Sequence, residues 1–100
     1  MGLRIDQDFI YQGDDWWKWR IWIEGTDAEL DEIDKVVYTL HETFPDPVRV
    51  IKDRQSKFRL ESSGWGIFRI HAKVHLKGGS AMKLHHDLEL LYPDGEPTTA

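Results

Sequence analysis

The stretch IFRIHAKVHLK, residues 67–77, alternates apolar and polar side chains from Phe68 onward. In an extended chain successive side chains point to opposite faces, so Phe68, Ile70, Ala72, Val74 and Leu76 share one face and Ile67, Arg69, His71, Lys73 and His75 the other. Such a pattern cannot present an apolar stripe as a helix, and it fixes the segment as a half-buried strand. The same period of two recurs in WWKWRIWIEG, residues 16–25. There Trp17, Trp19, Ile21 and Ile23 form a core face opposite Trp16, Lys18, Arg20, Trp22 and Glu24. KVVYTLH sets Val36, Tyr38 and Leu40 against Val37, Thr39 and His41, and MKLHHDLELL puts Met82, Leu84, His86, Leu88 and Leu90 on one side. Short strands are predicted at Val48 to Ile51 and at Phe58 to Leu60, with turns at the glycines of SSGWG and at Gly78-Gly79. Helical periodicity is confined to one short turn in TDAELDEID, capped by Thr26 or Asp27 with Leu30 and Ile33 pointing inward. The class is all-β, an antiparallel sandwich.

One hundred residues make one domain, and the 40% apolar fraction, with five tryptophans, is enough for one core. Residues 1–14 read as an N-terminal extension, 15–92 as the sandwich, and 93–100, beginning at Pro93, as a loose polar tail. The charge of −5, from 18 acidic and 13 basic side chains, argues against a protein that lives on nucleic-acid phosphates. The chain lacks cysteine, which excludes disulfides and thiolate metal sites. It has nothing near the roughly 20 consecutive apolar residues of a membrane helix, so no membrane partner is expected. Strand parity sends half of the tryptophans of WWKWRIWI into the core rather than onto a base-stacking platform. His71, His75, His85 and His86 read as an exposed face rather than a metal site, and no metal or cofactor is expected. Nucleophile elbow, phosphate loop and paired catalytic carboxylates are all missing, so the chain reads as non-enzymatic.

One segment does not fit a plain sandwich. LHETFPDPVRV, residues 40–50, ends a strand and then places Thr43 and Phe44 before two prolines. Pro45 and Pro47 cannot donate to a ladder, and the residue before a proline is pushed to extended geometry. Phe44 therefore has a poor claim to the core.

Taken in order, VVYTLHETFPDPVR (36–49), ESSGWGIFRI (61–70) and HHDLEL (85–90) resemble the YEATS domain over roughly residues 15–92, and are most similar to its short prokaryotic modules. The resemblance implies an immunoglobulin-like β-sandwich whose end loops hold acylated lysine, chiefly acetyl- or crotonyl-lysine, on a protein or peptide. Carried over by motif, Phe44 and Trp65 are the aromatic walls, Thr43 the hydroxyl partner of the acyl amide, and His41 the residue that orients that hydroxyl. Gly64 and Gly66 let the backbone approach the ligand, and the Trp65 N–H donates to the acyl carbonyl. Where the chromatin readers of the family carry a proline-rich turn and an aromatic, this chain has KDRQSKF, so Arg54, Gln55 and Ser56 are expected to change the rim that meets a peptide. The implied location is cytoplasmic, or nuclear in a eukaryotic setting. A second reading stays open: a structural or protein-interaction sandwich within a larger prokaryotic signalling or defence protein, with Phe44 plugging the end and Trp65 packed over it. Direct contact between those two rings favours the plug, and a gap favours the reader.

Overall fold

The computed structural model describes residues 2–98. Strand β2 (Trp16–Glu24) shows why the chain folds as it does: Trp17, Trp19, Ile21 and Ile23 are at most 1% exposed, while their neighbours face outward. Burying each such side chain contributes on the order of 1.5–3 kcal/mol, and a one-residue slip would turn all four to water. Strand β2 is central in a three-stranded sheet, between β1 (Arg4–Gly13) and β5 (Leu60–Gly64). The facing sheet has four strands in the order β4 (Val48–Ile51), β3 (Ile33–Thr39), β6 (Arg69–Leu76), β7 (Ala81–Asp87). Every pairing is antiparallel. The chain crosses between sheets after β2, β4 and β5, giving an immunoglobulin-like sandwich. Its core is filled by the β2 face together with Val36, Tyr38, Ile70 and Val74 from the opposite sheet.

The crossing from β2 to β3 contains the single helical turn α1 (Asp27–Asp31). Thr26 is its N-cap. Its hydroxyl accepts from the Glu29 N–H at 3.2 Å while the Glu29 carboxylate accepts from the Thr26 N–H at 2.9 Å, a reciprocal capping box. Leu30 and Ile33 are buried as expected.

Four expectations are corrected. The stretch set aside as an N-terminal extension supplies β1, paired with β2 from Arg4 to Gly13. Residues beyond Pro93 are tied down as far as they are described: Pro97 bridges Leu91, Thr98 is buried, and its N–H donates to the Leu90 carbonyl at 3.1 Å. The remaining tail residues lie outside the described residues. The strand expected at Phe58 to Leu60 starts at Leu60 instead, because Lys57 and Phe58 adopt φ of 59° and 58°, which no strand accommodates. Phe58 is nevertheless fully buried. Finally, Arg54 of KDRQSKF does not reach the Phe44 end. It bonds Asp31 at 2.9 Å and Asp27 at 3.2 Å, at the α1 end of the sandwich.

Candidate functional site

At the end of the sandwich opposite α1, the loop joining β3 to β4 (residues 40–47) faces the segment joining β5 to β6 (65–68). The first loop is closed by the Leu40 N–H donating to the Pro47 carbonyl at 2.8 Å, and its turn by the Phe44 N–H donating to the His41 carbonyl at 3.0 Å. Between the prolines Asp46 takes φ of 47°, a conformation tolerated by aspartate. Arg49, on β4, reaches back to hold the loop: its Nε donates to the Asp46 carbonyl at 2.5 Å and an Nη to the Pro45 carbonyl at 2.8 Å. The second segment is anchored where the Leu88 N–H donates to the Phe68 carbonyl at 3.0 Å.

Between the two loops lies a cleft of about 610 Å³. All six residues singled out from sequence line it: His41, Thr43, Phe44, Gly64, Trp65 and Gly66. Thr43 Oγ1 lies 2.9 Å from His41 Nδ1, and the Thr43 backbone N–H donates to the same nitrogen at 3.3 Å. In the tautomer that lets Nδ1 accept from that N–H, the Thr43 hydroxyl donates to the same nitrogen. Oγ1 is then left as an acceptor at the cleft surface.

Phe44 is half-buried. Its ring packs against Phe68 at 5.2 Å and edge-on against Trp19 at 6.1 Å between centroids. Trp65 is 59% exposed and, among the described residues, makes no ring contact with Phe44 or with any other aromatic. A Cβ placed on Gly64 would stand 3.7 Å from Phe44 Cζ, ordinary contact. The glycine thus keeps the floor beside Phe44 open rather than relieving a clash.

Sequence reasoning missed Trp16, Arg49 and Phe68 as cleft residues. Trp16 was assigned to an outer strand face, which is true, yet β2 begins at the mouth of the cleft. Phe68 heads the apolar face of β6 but lies before the strand, half-buried, against His41, Phe44 and Trp19. Strand parity alone does not say where a sheet ends. The Trp19 indole N–H, behind this aromatic floor, is buried with no acceptor among the described residues. Its ring meets the Phe44 and Phe68 rings edge-on, the orientation favoured by their quadrupoles.

No carboxylate lines the cleft, and Arg49 supplies its fixed cationic side chain. Among the described residues no group of three or more histidines and carboxylates is placed to hold a metal ion, and no helix is long and apolar enough to cross a membrane.

An antiparallel sandwich bearing a loop-built aromatic cleft at one end has the architecture of a binding module. The chain belongs to the prokaryotic YEATS domain family, whose model matches residues 17–89. It is 40% identical over 77 residues to Protein AF-9 homolog of Eremothecium gossypii, an alignment covering 72% of this chain and 36% of that protein. Over 83 residues it is 32% identical to Protein AF-9 of Homo sapiens, covering 79% of this chain and 14% of that protein. The chain therefore spans about a third or less of these relatives. The fold is similar to the Yaf9 YEATS domain bound to H3K27ac, with a TM-score of 0.69 and 25% identity, covering 97% of this chain and 79% of that one. It is likewise similar to the Yaf9 YEATS domain recognizing H3K122suc peptide, with a TM-score of 0.66 and 28% identity, covering 97% and 73%.

Proposed function

We propose that this domain is a non-catalytic reader that binds an acylated lysine side chain between Phe44 and Trp65. The observation that carries this reading is the meeting, in one cleft lined by no carboxylate, of Phe44 and Trp65 rings that do not touch and a hydroxyl held 2.9 Å from His41 Nδ1. Acylation turns an ammonium into a flat neutral amide. Such a group leaves water at far lower cost than a charge, stacks on aromatic faces for about 1 kcal/mol each beyond area burial, and offers an N–H that Thr43 Oγ1 can accept. The Trp65 backbone N–H is the matching donor for the acyl carbonyl. An unmodified lysine would instead meet Arg49 with no counter-charge. Two hydrogen bonds of about 0.5–1.5 kcal/mol each, two stacks and a loop pre-stiffened by Pro45, Pro47 and Arg49 give an affinity on the order of micromolar after association costs.

The acylated peptides bound by the Yaf9 domains support this ligand class. A hydroxyl 2.9 Å from an imidazole also invites comparison with a nucleophile and its base. In that arrangement a third group orients the imidazole, and His41 has no carboxylate partner among the described residues. We therefore read the pair as an oriented acceptor, and the domain as one that returns its ligand unchanged. Direct contact between the Phe44 and Trp65 rings would favour the plug reading, and among the described residues the ring contacts of Phe44 are with Trp19 and Phe68.

Titration with acetyl-lysine and crotonyl-lysine peptides, following the Trp65 amide by NMR, tests the proposal. Saturable shifts in the micromolar range are expected, with none for the unmodified peptide and no mass change in the ligand. No saturable shift up to millimolar acylated peptide overturns it.

A further inference from the structure

The outer face of the four-stranded sheet takes no part in the cleft, and its chemistry is sorted across the strands. On β6 and β7 the register sets Lys73 directly opposite Lys83 and His71 directly opposite His85, with Arg69 opposite Asp87 beyond them. The same rows continue onto β3 and β4 as Val37 opposite Val50 and Thr39 opposite Val48, and Lys35 stands opposite His75 one row further on. One half of the face is therefore cationic and the other aliphatic, with Val48 and Val50 56% and 52% exposed. Asp87, the carboxylate paired on this face, is already bonded to Arg69 at 2.8 Å. Lys35, Arg69, Lys73 and Lys83 against that one carboxylate give the face +3 in a chain of net −5, which leaves −8 for the rest. Like charges directly opposite on neighbouring strands destabilise a sheet, and neither Lys73 nor Lys83 has an ion pair or hydrogen bond among the described residues. The other sheet matches its charges across strands, as in Arg20 with Asp8. The lysine pair is matched only when an anion from outside lies between the two ammonium groups.

We propose that this face docks an acidic amphipathic helix of a partner protein, its carboxylates over Lys73 and Lys83 and its aliphatic stripe over Val37, Val48 and Val50. Neighbouring strands lie about 4.8 Å apart, so the four strands span roughly 14 Å. A helix about 10–12 Å across, laid along β3 and β6, reaches both halves at once. Exposed valines on an edge strand mark a surface for contact rather than for water, and a partner acidic on one side and aliphatic on the other answers both halves. A nucleic-acid duplex answers the charge alone. Running past the face, it would also meet the acidic α1 end, where the Glu32 carbonyl accepts from the Lys77 N–H and Asp34 stands exposed, and carboxylates there repel phosphate. The proposal concerns a surface separate from the cleft and does not rest on the acyl-lysine reading.

The test is an NMR titration of the chain with two helical peptides of about 15 residues, long enough at about 1.5 Å per residue to cover most of β6. Both carry a leucine stripe; one is flanked by glutamates and the other by glutamines. The glutamate peptide is expected to bind about tenfold tighter at low salt, to lose that advantage as salt is added, and to shift the amides of Val37, Val50 and Lys73 rather than that of Trp65. Lys73→Gln with Lys83→Gln is expected to equalise the two peptides while leaving the urea midpoint unchanged or higher, because a like-charge pair has been removed. Val48→Thr with Val50→Thr keeps the strand β-branched and is expected to weaken both peptides alike. Equal affinities on the parent chain, a glutamate preference that survives in the lysine variant, or shifts confined to the Trp65 cleft overturn the proposal. So does the lack of any saturable shift up to millimolar peptide. A short DNA duplex that shifts the same amides at lower concentration than the glutamate peptide overturns it in favour of a nucleic-acid face.

Discussion

The two ends of this sandwich are built on opposite terms. At the α1 end nearly every group has found a partner. Phe58 and Leu30 are fully buried, the Tyr38 hydroxyl donates to the Phe58 carbonyl at 2.7 Å, Thr26 and Glu29 cap each other, and Arg54 joins Asp27 to Asp31. At the cleft end Trp16, Trp65 and Ile67 stand 43%, 59% and 44% exposed, and the Trp19 N–H lacks an acceptor. Apolar rings remain in water where a ligand is to displace that water. The ion pairs of the closed end are surface pairs worth about 0–1 kcal/mol, so its firmness comes from Phe58 and Leu30 rather than from Arg54. Burial also holds the Tyr38 hydroxyl well above the usual tyrosine range, keeping it a neutral donor.

Phe58→Ala is the severest way to break the comparison. Emptying a fully buried aromatic site is expected to cost about 3–5 kcal/mol in chemical denaturation, with acyl-peptide affinity unchanged in the protein that remains folded. Loss of affinity in that folded fraction would show the two ends to be coupled. Phe44→Ala straddles the division. It deletes a wall and a packing partner of Phe68 and Trp19, and is expected to cost about 1–3 kcal/mol of stability as well as binding. Trp65→Ala is expected to leave stability within about 0.5 kcal/mol while weakening acyl-peptide binding roughly tenfold or more by calorimetry. Thr43→Val keeps the shape and removes the acceptor, for an expected loss of about threefold to tenfold at unchanged stability.

The smallest effect concerns pH. His86 has its pKa lowered, chiefly by burial, against the pull of Asp6, Asp87 and Glu89, and its Nε2 lies 2.6 Å from Gln7 Oε1. The unfolded chain therefore binds the proton more readily than the folded one. Stability from this group is complete above about pH 6.5 and is lost as pH falls through the lowered folded value. Urea midpoints measured from neutral to mildly acidic pH are expected to decline less in His86→Gln than in the parent chain.

How much of this was legible in the sequence varies by segment. The β2 and β6 faces were plain because alternation there is uninterrupted, and Trp17, Trp19, Ile21, Ile23, Ile70 and Val74 are buried as read. Strand β1 was not, because the alternation of Ile5, Phe9 and Tyr11 is broken by Gln7. That side chain stitches β1 to the end of β7, accepting from the Glu89 N–H at 2.9 Å and donating to the Glu89 carbonyl at 2.6 Å. A polar bridge between sheets looks, in sequence, like the absence of a strand. Strand β5 was placed too early for another reason: its Ser62, Ser63 and Gly64 have no apolar series to show. The six motif residues of the cleft were found by resemblance. Arg49 was invisible to both approaches, since its role depends on carbonyls that carry no sequence signature.

The cleft takes one side from each sheet: Ser62 to Trp65 from the three-stranded sheet, and His41 to Phe44 with Arg49 from the four-stranded one. Its width is thus a property of the whole sandwich, set by how thick the layer of Trp19, Ile21, Val36 and Val74 holds the sheets apart. A methylene added or removed in that layer acts as a shim under the jaws of a vice. Under the reader proposal, the spacing of the walls on either side of the ligand is adjustable from deep inside the protein, by substitutions that never touch the ligand.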